Sequence, residues 1–239
     1  MGYKTVFERY ELKYLLTNAQ KDAVLNAMSP YMALDEYGRT VIRNIYFDTP
    51  NFRLIRASIE KPIYKEKLRV RSYSKATAQI NVFVELKKKY KSVVYKRRLS
   101  LPEQSAMDWV QGNRECSVKS QISSEIDYFL AYYQTLRPAV FLSYAREAYY
   151  PINGGSLRIT FDDDILCRQT DLSLKSEAWG TPILDSGLTL MEIKCSGGIP
   201  LWLTRVLSEN QIYKTSFSKY GTAYKKLIYP ALKEEFIYA

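Results

Sequence analysis

Between Tyr64 and Leu101 the side chains alternate through three successive runs, the period that a pleated strand imposes. In the first run Lys65, Lys67, Arg69, Arg71 and Tyr73 share one face, with Leu68 and Val70 on the other. In the second, Val82, Val84 and Leu86 oppose Phe83, Glu85, Lys87 and Lys89. In the third, Lys96 and Arg98 share a face with Ser92, Val94 and Ser100, against Val93, Tyr95, Arg97, Leu99 and Leu101. Paired as a meander, the three strands bring Arg69, Arg71, Lys87, Lys96 and Arg98 onto one surface. Like charges opposed across a sheet destabilise it. For any single strand, a solvated face or an edge guarded by Lys explains the pattern. That explanation weakens because the pattern recurs along the chain.

Val6–Leu15 reads as a strand with Arg9, Glu11 and Lys13 on one face and Tyr10, Leu12 and Tyr14 on the other. Thr17 or Asn18 can cap the helix that follows to Met28, before Pro30. Thr40–Asp48 is β-branched and aromatic, hence a strand, and Asp48-Thr49-Pro50 starts a helical segment toward Ile59. Pro102-Glu103 opens a helix through Val110. A second spans Lys119 to Leu136, with Ile122, Ile126, Phe129, Leu130 and Tyr133 at helical spacing. Pro138–Tyr149 is a strand carrying Arg146. Ser156–Asp162 is another, with Arg158, Thr160 and Asp162 on one face, and it ends in Asp162-Asp163-Asp164, read as an acidic turn rather than a metal cluster. Thr189–Ser196 is the last strand, with Glu192 and Lys194 together. Residues i and i+2 lie about 6–7 Å apart along a strand, so these two are expected to pair poorly. A short helix over Pro200–Leu207 and a terminal one over Ser218–Tyr229, with Lys219 in its first turn, complete the chain.

This gives about eight strands, most with one charged and one apolar face. Helices are at hand to cover the apolar faces. The expected fold is therefore α+β: a closed antiparallel barrel of about eight strands, charged inside, with helices packed outside. No Pro/Gly/Ser-rich linker interrupts the 239 residues, so residues 1–239 are expected to form one domain.

Composition sharpens this picture. Lys and Arg number 35 and Asp and Glu 25, a net charge of +10. An anionic partner is implied: nucleic acid, an acidic membrane or a phosphorylated small molecule. The 21 tyrosines keep single-stranded nucleic acid in view, although no RNP-like or zinc-finger motif is present and nucleic acid is not the expected partner. Histidine is absent, which excludes a His general base, a Ser–His relay and His-ligated zinc. Cys116, Cys167 and Cys195 form neither a CxxC nor an even framework and are expected to be reduced thiols in a cytoplasmic protein. The N-terminal residues lack an apolar core, and no stretch reaches the ~18 apolar residues of a membrane span.

The basic residues on strand faces are Arg9, Lys13, Arg69, Arg71, Lys87, Lys96, Arg98, Arg146, Arg158 and Lys194, with Glu11, Glu85, Asp162 and Glu192 among them. A few acids within a cationic lining suit a metal–polyphosphate ligand. Carboxylates hold Mg²⁺ or Mn²⁺, while Arg forks and Lys ammonium groups neutralise phosphate oxygens. Arg9-x-Glu11-x-Lys13 resembles the ExExK signature of the triphosphate tunnel metalloenzymes (the CYTH-like superfamily), with Arg9 in place of its first acid. IYFDT at Ile45–Thr49, KLRVRSY at Lys67–Tyr73, VELKK at Val84–Lys88, YKRRL at Tyr95–Leu99, YAREAY at Tyr144–Tyr149, LRITFD at Leu157–Asp162, LMEIK at Leu190–Lys194 and FSKYG at Phe217–Gly221 resemble the VTC domain, the polyphosphate polymerase branch of that superfamily.

The resemblance implies an ATP-dependent, Mn²⁺- or Mg²⁺-dependent transferase. It would pass the terminal phosphoryl group of ATP to phosphate or to a growing polyphosphate chain. It assigns Lys13, Arg69, Arg71, Lys87, Lys96, Arg98, Arg146, Arg158, Lys194 and Lys219 to phosphate or nucleotide binding, with Arg69, Arg71, Lys87 and Lys194 at the chemistry. It makes Glu192 the metal ligand, with Glu11 and Glu85 either helping or only forming ion pairs. Eukaryotic members of the family are fused to other domains and membrane spans, so an unidentified membrane or protein partner is also implied. Two other readings compete: a tunnel triphosphatase, and a non-catalytic module that binds polyphosphate or nucleotide.

Overall fold

The computed structural model describes residues 10–91 and 93–237, with side chains through Lys233. Arg9 and Ser92 lie outside the described residues. In chain order the elements are β1 (Tyr10–Thr17), α1 (Asn18–Met28), β2 (Met32–Leu34), β3 (Thr40–Asp48), α2 (Arg53–Ile59), β4 (Tyr64–Ser72), β5 (Asn81–Tyr90) and β6 (Val93–Pro102). They continue with α3 (Glu103–Val110), α4 (Gln121–Tyr133), β7 (Arg137–Pro151), β8 (Arg158–Arg168), β9 (Thr181–Pro182), β10 (Leu188–Cys195), α5 (Leu201–Glu209) and α6 (Lys219–Ala223). A π-helical turn over Tyr224–Ile228 leads into α7 (Tyr229–Ile237).

The chain divides into two compact units, each assembled from separated segments. The first takes Met1–Thr40, Tyr144–Ile165 and Leu184–Phe217; the second takes Val41–Ser143, Leu166–Ile183 and Ser218–Ala239.

In the first unit β1 pairs antiparallel with β10, and β10 with β8. The alternate residues Tyr14, Leu16, Ile159, Phe161, Met191 and Ile193 point to one side and are buried against Val24 and Met28 of α1 and Leu203, Val206 and Leu207 of α5. Thr17 starts α1 with a capping box: its hydroxyl accepts from the Gln20 amide, and the Gln20 side chain accepts from the Thr17 amide. The other face of the same strands carries Glu11, Lys13, Arg158, Thr160, Asp162, Glu192 and Lys194.

In the second unit β3, β4, β5 and β6 form an antiparallel meander. Ile45, Phe47, Leu68, Val70, Val82, Val84 and Leu86 are buried with Leu54 of α2, Trp109 and Val110 of α3, and Ile126 and Phe129 of α4. Full burial of each large aliphatic or aromatic side chain contributes roughly 1.5–3 kcal/mol. Asp48 begins α2 from inside: its carboxylate accepts from the amides of Thr49, Leu54 and Ile55 and from the Tyr220 hydroxyl. This satisfies donors that a helix start leaves open.

The strands follow the order β1-β10-β8-β7-β3-β4-β5-β6, with β2 on β7 and β9 on β8. Among the described residues no pairing joins β6 back to β1. The expected closed barrel is therefore replaced by a large antiparallel sheet with two ends, in an α+β fold. Alternation fixes the face that each side chain takes, but closure depends on strand tilt and register shear, which alternation does not encode. The acidic turn at Asp162-Asp163-Asp164 is also corrected. β8 runs through it to Arg168, with Asp164 at φ 48°. Asp163 and Asp164 both accept from Arg39, so the run lies in the strand and is paired with a cation, although Asp164 stays largely exposed. The helices expected over Lys119–Leu136 and Ser218–Tyr229 form as Gln121–Tyr133 and as α6, the π turn and α7.

Candidate functional site

On the second unit the charged face is an ordered grid, because β4, β5 and β6 pair residue for residue. Asn44 lies opposite Arg71; Tyr46, Arg69, Glu85 and Arg98 form the next row; Lys67, Lys87 and Lys96 form the row after that. Glu85 is 1% exposed and is the only acid in these rows. Arg69 donates to it from Nε at 2.8 Å and from a terminal nitrogen at 2.6 Å. Arg98 donates through Nε at 2.7 Å, and Lys96 Nζ sits 2.6 Å away. Burial alone would raise the Glu85 carboxyl, but Arg69, Arg71 and Lys96 hold it far below the usual carboxylate range. Burial, together with Arg98 and Arg69, presses the Lys96 ammonium down to about 8 against the pull of Glu85.

The cations are aimed by neutral groups. Arg71 Nε donates to Asn44 Oδ1 at 2.8 Å, and Asn44 Nδ2 donates to the Leu142 carbonyl. Arg69 donates to the Tyr46 hydroxyl, and Arg98 to the Tyr73 hydroxyl, each at 2.9 Å. Burial would raise the Tyr73 phenol, but Arg71 and Arg98 beside it bring it down to about 8. Lys67 Nζ donates to the hydroxyl of Ser218, the residue that caps α6 immediately before Lys219.

On the first unit the charged face centres on Glu192, 6% exposed. Lys13 Nζ lies 3.4 Å from Glu192 and 3.2 Å from Glu11, so one ammonium joins two carboxylates across the β1–β10 pair. Lys194 Nζ is 3.3 Å from Glu192. This corrects the expectation that the two pair poorly: the four-carbon lysine stem leans back along the strand and closes the gap. Arg146 forms a fork on Asp162 at 2.5 and 2.6 Å and reaches Glu192 at 3.9 Å. Burial disfavours the Arg146 cation, yet Tyr144 and Asp162 hold its pKa well above the usual value. Arg158 lies over the Tyr150 ring, and among the described residues neither its buried Nε nor the buried Thr160 hydroxyl, beside Glu192 in register, has a hydrogen-bond partner. Orphaned buried donors are rare, and these two belong to the face on which the cations gather.

Each face has charged side chains withdrawn from solvent: Arg71, Glu85, Arg146, Asp162 and Glu192 are all under a tenth exposed, while Lys87 and Lys96 remain exposed. The structure thus gathers Arg69, Arg71, Lys87, Lys96 and Arg98 on one unit, with Lys219 next to the Lys67 contact. It gathers Lys13, Arg146, Arg158 and Lys194 on the other, around Glu11 and Glu192. Of the two readings of Glu85, the geometry favours the ion pair, because its oxygens are taken by three cations. Sequence reasoning placed Tyr73 on the charged face without giving it a role, and did not single out Asn44 or Tyr46. The signal for those two was the alternation of Asn44, Tyr46 and Asp48 within Thr40–Asp48. Among the described residues no group of three or more Asp, Glu, Cys or His converges as a metal site. Glu11 and Glu192 do converge on one cation, the Lys13 ammonium, and two carboxylates are the donor type that Mg²⁺ or Mn²⁺ takes, with phosphate oxygens and water completing the shell.

The model of the VTC domain matches residues 8–228, which spans segments of both units. The chain belongs to the VTC domain family. No curated protein sequence matches it significantly. Among solved structures, this VTC domain is similar to a candidate adenylate cyclase from Bacillus halodurans, at 16% identity and a TM-score of 0.53, covering 87% of this chain and 92% of that one. It is also similar to a candidate adenylate cyclase from Vibrio parahaemolyticus, at 14% identity and 0.52, covering 90% and 97%. A third similar structure is a candidate adenylyl cyclase from Hippeastrum with a dominant triphosphatase activity, at 18% identity and 0.54, covering 89% and 93%. At these identities the likeness is one of fold.

Proposed function

We propose that this VTC domain is an ATP-dependent polyphosphate polymerase. The observation that carries the reading is the register-matched grid of cations around one buried acid, Arg69/Glu85/Arg98 beside Lys67/Lys87/Lys96, in a chain of this family. Such a grid repels itself unless a polyanion lies along it. Phosphoryl transfer asks the protein mainly for positioning and charge neutralisation, so the absence of histidine is no obstacle. An acceptor phosphate is already ionised; its oxygen forms the new bond to the γ-phosphorus as the bond to the β–γ bridging oxygen breaks, and ADP leaves with that oxygen.

In the second unit this reading assigns Arg69, Arg71 and Lys87 to the chemistry and Lys96, Arg98 and Lys219 to phosphate binding. In the first unit it assigns Lys194 to the chemistry and Lys13, Arg146 and Arg158 to phosphate binding. Glu192, with Glu11, would hold Mn²⁺ or Mg²⁺, displacing the Lys13 ammonium toward phosphate. Bound there, the metal would neutralise phosphate charge and orient the oxygens it touches. Glu85 organises Arg69, Lys96 and Arg98. The free, buried Cys116, Cys167 and Cys195 suit a reducing, cytoplasmic setting, and no helix among the described residues is long and apolar enough to cross a membrane.

A triphosphatase is the second reading, favoured by the activity of the Hippeastrum protein. Incubation with ATP and Mn²⁺, followed by separation of the products by size, tests both. Long polyphosphate supports the polymerase. Free phosphate alone moves the assignment to the triphosphatase. Bound but unchanged ATP leaves a binding module.

A further inference from the structure

The cation grid does not stop at the residues assigned to the triphosphate. One row beyond Lys67, Lys87 and Lys96, in the same alternation, Lys65 stands directly opposite Lys89. Both are half-buried. Lys65 donates to the Ser58 carbonyl at 3.0 Å, which fixes where its ammonium points, and no carboxylate among the described residues pairs with either lysine. Burial depresses the Lys65 pKa, and Lys89 and Lys61 depress it further. Facing lysines of this kind are unfavourable in a sheet and gain nothing from the acid two rows away, since Glu85 is already taken by Arg69, Lys96 and Arg98.

From Arg71 to Lys65 is six residues of one strand, about 20 Å at ~3.4 Å per residue. That is longer than a triphosphate. We propose that Lys65 and Lys89 are a further anion subsite, which holds phosphate units of a long inorganic polyphosphate chain lying beyond the triphosphate along β4 and β5. The inference rests on the polyphosphate reading of the site and deepens it. It makes affinity depend on chain length, because only a ligand with more phosphates than the first rows accommodate reaches the last row.

Calorimetric titrations of the full chain and of its Lys65→Gln/Lys89→Gln variant with tripolyphosphate and with long-chain polyphosphate test it. The expected result is unchanged affinity for tripolyphosphate, which also reports an intact fold, and a loss for the long chain on the order of tenfold or more, from two charged contacts. The long-chain loss should shrink as salt rises. Equal affinity of variant and parent for the long chain overturns the subsite and leaves the polyphosphate reading standing. Loss of tripolyphosphate and long-chain binding together in the variant places both lysines in the first site and overturns the chain-length argument. Binding of neither ligand by the parent protein overturns the polyphosphate reading and the subsite with it.

Discussion

Glu85 in the second unit and Glu192 in the first are both buried and both ringed by cations, yet they are held differently. Glu85 comes from β5, between two strands that each place a cation beside it, and two of its partners are arginines. Their planar forks are fixed by Tyr46 and Tyr73 and lose little freedom when they bind. Glu192 comes from β10 and is met by two lysines, Lys13 and Lys194. Arg146, 3.9 Å from Glu192, is committed to Asp162. Lysine is a compact charge on a flexible stem, so its place beside a carboxylate can be taken by another cation. On the proposed reading, Glu85 keeps a cationic frame in register, while Glu192 exchanges its lysines for a metal ion.

The largest effect that this contrast predicts is on stability. Glu85→Ala leaves the partly exposed Arg69, Lys96 and Arg98 without their shared anion and should cost roughly 2–3 kcal/mol, seen as a fall in melting temperature that tripolyphosphate partly restores. The Glu85 carboxyl is depressed in the folded state, so its contribution is present above its ordinary pKa near 4.3 and is lost as pH falls from there toward the depressed folded value. Acid titration of stability should therefore be less steep in the variant. A variant as stable as the parent would remove the distinction.

Glu192→Gln should instead keep the fold within about 1 kcal/mol, because lysines released from it reach solvent. It should lower metal-dependent turnover by about 100-fold, the scale of one lost electrostatic contact at a reacting phosphate. Affinity for nucleotide without metal should hold or rise. Full metal-dependent turnover in this variant would move the metal to Glu11.

The pH dependence of ligand binding sharpens the comparison further. Lys96 and Tyr73 both sit near 8. As pH rises through that value Lys96 loses a positive charge and Tyr73 gains a negative one, so affinity for tripolyphosphate should fall several-fold between about pH 7 and 9. Lys96→Arg and Tyr73→Phe should each flatten part of the profile, and Glu192→Gln should not. The smallest effect is expected at Arg97. It follows Lys96 in sequence but faces away and pairs with Glu125, so Arg97→Ala should leave tripolyphosphate affinity unchanged and stability within about 0.5 kcal/mol.

Strand identity and side-chain facing were legible in the sequence because alternation is a local property. Arg69, Arg71, Lys87, Lys96 and Arg98 fall on one face by parity alone, and their meander needs only short connections. Lys13, Arg146, Arg158 and Lys194 were also placed on charged faces, but their gathering around Glu192 depends on pairing strands far apart in sequence. Parity could not tell whether Glu85 holds a metal or three cations, since that turns on distances of 2.6–2.8 Å fixed by register. Nor could it foresee the Lys194–Glu192 contact, which arises from the lean of a long side chain.

The sequence by itself determined the α+β class, the charged and apolar faces, and the family. Each follows from local period or from motifs in order. The tertiary structure alone decided the pairing order, the absence of a β6–β1 pairing among the described residues, the aiming of Arg69 and Arg71 by Tyr46 and Asn44, and the partners of each acid. These depend on register and packing between residues distant in the chain, for which no short-range pattern is a proxy.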